Sequence, residues 1–194
     1  MNKSYKEQLF LFYENCSEVK IAPNSLLHAY LAILNGDFDS AETVFSRIDS
    51  PRGKWGVSFV QILKGFLTIF PTYFCIRNFL EIDLDFLLKN NKIDYVEQCL
   101  GALKYLADVN QETYKFVARV MLLNKLYTSA IKYMEYSKKI YYNDPELHFM
   151  YAKYYLEVEK NYSEAYFYVN ECLKMLPSYY PAQVMKQRIE EIAF

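Results

Sequence analysis

Glycine is scarce in this chain, with five in 194 residues, too few for phosphate-cradling loops or for a sheet protein rich in tight turns. Histidine occurs twice, at His28 and His148, and neither has partners at metal-ligand spacing. The four cysteines, Cys16, Cys75, Cys99 and Cys172, include no close pair, so neither a zinc knuckle nor a redox CxxC is available. Scattered cysteines of this kind are expected as small buried apolar residues in a reducing compartment. Charge of one sign is also lacking: 22 basic against 23 acidic residues give a net charge of −1. That balance removes the broad attraction for phosphate backbones, and no nucleic-acid partner is expected.

Long apolar runs are missing too. The richest stretch, Trp55 to Phe70, is shorter than the roughly 20 residues a bilayer requires. Ser58, Gln61, Lys64 and Thr68 run through it as a polar stripe at helical spacing, so a mostly buried core helix is expected rather than membrane insertion. Leu9 to Tyr13 is too short an apolar centre for a signal peptide, which points to a cytoplasmic protein. No GxGxxG, GxxxxGK[ST], GxSxG or HExxH occurs. Neither an enzyme nor a cofactor is therefore expected.

What the chain does have is helical period. Apolar residues recur at i, i+3, i+4 and i+7 nearly throughout, which outranks the strand propensity of 20 tyrosines and 14 phenylalanines. The spacing predicts helices at about 3–17, 23–35, 38–49, 53–69, 72–89, 92–107, 110–124, 127–142, 145–159, 162–175 and 179–193. All six prolines fall where one periodic stretch stops and another begins. Connections as short as Asn35-Gly36-Asp37 or Lys160-Asn161 make neighbouring helices antiparallel, and no linker marks a domain boundary.

The helices also repeat. Val96, Ala130 and Ala165 follow one another by 34 and 35 residues; Leu84, Ala118, Ala152 and Gln187 by 34, 34 and 35. Two series with one period indicate a stacked helix-pair unit. Phe38 and Ala41 carry the same opening as Tyr127 and Ala130, but Ala41 lies 55 residues before Val96, so the register slips around helix 53–69.

A two-helix unit of this length resembles the tetratricopeptide repeat (TPR) family. Ala152, Tyr155, Tyr162, Ala165 and Pro177 match its pattern in the unit 145–177; Ala118, Met121, Tyr127, Ala130 and Ser137 match it in 111–144. The unit 77–110 has Leu84 and Val96 where alanines are usual, and 22–50 keeps Ala29, Phe38, Ala41 and Phe45. The resemblance implies an all-α fold: a right-handed α-α superhelix, a TPR-like solenoid of about eleven antiparallel helices in a single domain over 1–194. In it, 53–69 is an irregular helix and 179–193 a capping helix. Gln183, Lys186, Gln187, Glu190 and Glu191 would face outward there, with Val184, Met185, Ile189 and Ile192 turned inward.

In that family the first helix of each pair lines the concave face. Carried over, the lining would be Asn78, Glu81 and Asp85; Glu112, Lys115 and Arg119; Glu146, Phe149 and Lys153; Val184 and Arg188. Arg119, Lys153 and Arg188 sit at equivalent places and would form a basic ladder with rungs about 10 Å apart, suited to an extended acidic peptide. Lys115, Phe116, Arg119, Phe149, Lys153 and Arg188 are the candidate partner-binding residues. The set differs from the family's lysine-asparagine-arginine clamp for carboxyl-terminal chaperone peptides.

Two function classes follow. One is a protein-interaction module, a scaffold or adaptor holding a peptide segment or protein partner. The other is a structural subunit that self-associates into a homo-oligomer or joins a larger assembly. His148, with Asp144 one turn back, reads as a surface or groove histidine, and the trio Glu81, Asp83 and Asp85 as solvated or partner-facing charges.

Overall fold

A computed structural model of the protein describes Ala22 and residues 25–193. The expected helix 3–17 and Cys16 lie outside the described residues. Among the described residues there are eleven α-helices and no strand. Contacts divide the chain into two compact units, Met1–Asn110 and Gln111–Phe194.

The first unit contains α1 (Leu26–Leu34), α2 (Phe38–Ser46), α3 (Pro51–Leu63), α4 (Tyr73–Lys89), α5 (Ile93–Gly101) and α6 (Leu103–Val109). Side-chain oxygens of Ser25, Asp37, Ser50 and Thr72 cap the first four by accepting from backbone N–H groups three residues on. Pro51 occupies the first turn of α3, where its missing N–H costs nothing. The predicted helix 92–107 is two helices, broken at Gly101-Ala102.

Helix α3 stops six residues before the predicted end, because Gly65 turns left-handed (φ +83°) and the Phe66 N–H reaches back to the Gln61 carbonyl. The first half of the polar stripe is covered by the chain that follows. Ser58 and Gln61 are both buried. The Gln61 amide oxygen accepts from the Thr68 and Ile69 N–H groups and the Thr68 hydroxyl, at 3.0 to 3.1 Å. Ser58 donates to the Ile69 carbonyl at 2.7 Å.

The second unit contains α7 (Thr113–Leu123), α8 (Tyr127–Ile140), α9 (Pro145–Tyr154), α10 (Tyr162–Met175) and α11 (Tyr180–Ala193). Helix α7 packs on α8 and α9 on α10, while α7 also meets α9. Ala118, Ala130, Ala152 and Ala165, one per helix, are fully buried and let these backbones approach closely.

The turns between paired helices carry the same period. Asn91, Lys125 and Lys160, 34 and 35 residues apart, are all left-handed (φ +54°, +61° and +56°). After Asn91 and Lys125 the next N–H bonds the carbonyl five residues back; after Lys160 it bonds six back, to Tyr155. The difference has a visible source. Tyr155–Glu159 continues α9 as a π-helical turn, which inserts one residue without ending the helix. This single insertion turns a 34-residue spacing into 35 while keeping both Ala152 and Ala165 buried.

No helix among the described residues is long and apolar enough to cross a membrane.

Candidate functional site

Asp144 organises the site in the second unit. As the cap of α9 it accepts from the Glu146 and Leu147 N–H groups at 2.9 and 3.2 Å, with Pro145 starting the helix behind it. Its other oxygen takes the Lys115 ammonium at 2.5 Å; Glu112 and Glu146 lie 2.7 and 3.4 Å from the same nitrogen. Burial works against the Lys115 charge, but Asp144 and Glu112 outweigh it and raise the pKa.

Lys115 and Phe116 are buried, at 4% and 5% exposure, rather than lining an open face, and Lys115 ties α7 to the start of α9. Arg119 is half-buried, pairs with Glu146 at 2.7 Å and lies 5.9 Å from the Phe116 ring. Phe149 is half-buried and meets Tyr179 edge to face at 5.3 Å. Tyr179 is held above its usual pKa by burial and by Glu146. Lys153 lies one turn beyond Phe149 and is half-buried; Arg188 is exposed on α11. Among the described residues neither has an ion-pair partner.

The structure thus brings Lys115, Phe116, Arg119 and Phe149 into one neighbourhood and places Lys153 along the same helix. No described contact links Arg188 to them. Two cations here face three carboxylates, so the Lys115 and Arg119 charges are already matched before any partner arrives. Lys153 and Arg188 are the cations left to recruit an anion. Of the remaining proposed lining, Asp85 pairs with Lys89 at 2.6 Å in the first unit.

Two clusters were not anticipated. In the first unit, Asp83 is fully buried, accepts from the Tyr30 hydroxyl at 2.7 Å and the Trp55 indole at 2.5 Å, and pairs with Arg52. The Arg52 guanidinium sits over the Tyr30 and Phe79 rings, 5.2 and 4.7 Å from their centres. The signal was present: Asp83 falls in phase with Ile76, Leu80 and Leu87, on the buried face of α4.

In the second unit, His148 is buried rather than superficial, at 1% exposure. Its Nε2 bonds the Tyr142 carbonyl at 3.0 Å, and Nδ1 is buried with no hydrogen-bond partner. Burial lowers its pKa. Tyr151, Tyr155 and Tyr168 stack beside it, and the Lys138 ammonium lies 5.3 to 5.8 Å from the Tyr142, Tyr151 and Tyr168 rings. The sequence pattern singles out Tyr155 alone of these tyrosines, as a repeat-position aromatic, because ring stacking across helices leaves no trace in spacing.

Cys75, Cys99 and Cys172 are buried free thiols; burial pushes the Cys172 pKa up to about 11. Among the described residues no group of three or more His, Cys, Asp or Glu side chains is placed to hold a metal ion. Set against known proteins, the chain matches no family model, no curated protein and no solved structure.

Proposed function

We propose that the protein is a non-enzymatic interaction module of the cytoplasm, a TPR-like right-handed superhelix whose second unit docks a protein or peptide segment carrying acidic residues. The observation that carries this reading is the surface around Phe149. A half-buried Phe149–Tyr179 pair offers apolar contact beside the Arg119–Glu146 ion pair, with Lys153 unmatched one turn along. Partially buried aromatics bordered by an available cation are the usual composition of a binding hot spot.

Capture of partners from native cytoplasm tests it. Lys153→Glu with Arg188→Glu is the informative variant, because Arg119→Glu would set a carboxylate against Glu146 and disturb the fold. The double reversal should weaken the captured complex by about 2–4 kcal/mol, with wild-type binding falling as salt rises. Binding unchanged by both would refute the site.

A second reading, self-association, is favoured by α11. The helix buries Ala182 and Ile189 but leaves Tyr180, Val184 and Ile192 at 72%, 44% and 50% exposure. Val184 and Ile192 are thus not sealed inside, as the pattern of a terminal cap predicts. Light scattering separates the readings: a monomer at micromolar concentration favours the docking module, and a dimer dispersed by Val184→Glu favours assembly through α11.

A further inference from the structure

The connection between α3 and α4 displays an unusual set of side chains. Phe66, Ile69, Phe70, Tyr73 and Phe74 are 47%, 52%, 56%, 38% and 67% exposed within nine residues. Isolated exposed apolar residues are ordinary, but five together are not.

The display is built. Gln61 accepts three hydrogen bonds from Thr68 and Ile69, Ser58 holds the Ile69 carbonyl, Pro71 is buried, and Thr72 caps α4 through the Cys75 N–H. Buried polar groups of α3 thus fix a backbone whose apolar side chains point away from the core. Tyr73 and Phe74 contact each other edge to face at 5.5 Å, outside the folded interior.

Charge indicates what this surface meets. Residues 50–80 contain Arg52, Lys54, Lys64 and Arg77 and not one aspartate or glutamate, in a chain with 23 of them. Arg52 is committed to Asp83, and Lys64 to Asp39 and Glu42. Lys54 and Arg77 are exposed and, among the described residues, without an ion pair. Arg77 lies one helical turn past Tyr73 and Phe74, and Lys54 lies one turn before Ser58, whose hydroxyl binds the Ile69 carbonyl. A cleft of about 250 Å³ between Phe66, Leu67, Gln98 and Tyr105 leaves Ile69, Phe70, Tyr73 and Phe74 outside it. These four are presented as projections rather than as the walls of a receptor.

Projecting aromatic and aliphatic side chains flanked by cations are suited to the boundary between headgroups and acyl chains, with rings in the interface and ammonium or guanidinium groups at anionic headgroups. We propose that the α3–α4 connection is a peripheral docking surface for an anionic lipid bilayer, holding the protein on the membrane face without crossing it. The surface belongs to the first unit and is independent of the docking site proposed in the second.

Co-sedimentation of the full chain with phosphatidylcholine vesicles, with and without phosphatidylserine, tests this. The protein should sediment with the phosphatidylserine vesicles and not with phosphatidylcholine alone, and added salt should release it. Phe70→Ser with Phe74→Ser, and separately Lys54→Glu with Arg77→Glu, should each weaken binding by about tenfold or more. All four side chains are exposed, so the helical circular dichroism should stay unchanged. Absence of vesicle binding overturns the proposal, as does binding indifferent to phosphatidylserine or to both variants. A wild-type dimer that Phe70→Ser with Phe74→Ser disperses, or a protein partner that variant releases, each without vesicle binding, would assign the patch to a protein interface and overturn it equally.

Discussion

The two units handle irregularity in different ways. In the second, four buried alanines set the distance between helices, and one surplus residue is taken up by the π-helical turn at Tyr155–Glu159 without disturbing the packing on either side. The first lacks that regularity. Its α2 and α3 meet through Gly53 and Gly56, and its helices α1, α3 and α4 converge on one buried carboxylate, Asp83. Small apolar contacts tolerate a shift in register because they are non-directional. A buried charge does not, since each partner must keep its hydrogen-bond geometry.

The sharpest way to break the comparison is Asp83→Ala. It removes the carboxylate from a buried Arg52 and should cost about 3–5 kcal/mol, read by chemical denaturation. Because the loss comes from isolating a charge, the double change Asp83→Leu with Arg52→Met should recover most of it. A double variant as unstable as the single one would show that the carboxylate's bonds to Tyr30, Trp55 and Arg52 supply net stability.

Gly56→Ala is the next test. A Cβ there would lie 2.1 Å from the buried Phe45 ring, closer than any real contact, so the ring or the helices must shift. A loss of about 1–3 kcal/mol is expected, with hydrogen exchange accelerated in α2 and α3. Ala118→Gly in α7 removes volume instead of adding it and should cost about 1 kcal/mol through helix propensity. Equal effects at the two positions would erase the distinction between close glycine packing and alanine packing.

The smallest effect concerns pH and belongs to the second unit. Burial depresses the pKa of His148, so below about 6.5 the unfolded chain takes up a proton that the folded chain resists. Stability of α8 to α10 should therefore fall as pH drops from 7 towards 5. The groups facing the ring shape the slope: Glu171 and Asp144 favour protonation, while Lys138 opposes it. His148→Gln should flatten this part of the profile in hydrogen exchange, and an unchanged profile would exclude the histidine as its source.

Much of the helical framework was legible in the sequence, because helix period and capping are local. Thr72, Asp144 and Asn161 cap helices near the predicted starts, and α10 spans its predicted range. The ending of α3 was not legible, since Gln61 and Ser58 become loop anchors only when the chain folds back over them. Of the candidate site, the residue types and their shared helix faces could be read, but not the state of their charges. Lys115 was placed on an open face because its partner Asp144 is 29 residues away and belongs to a cap.

The sequence by itself determined the all-helical character of the described residues and the 34-residue recurrence of buried small side chains, both set by spacing along one chain. Tertiary structure alone decided which charges are matched, which polar residues are buried and which apolar ones are left outside. Those outcomes depend on what a second segment brings within about 3–4 Å of a side chain, and no local pattern encodes that distance.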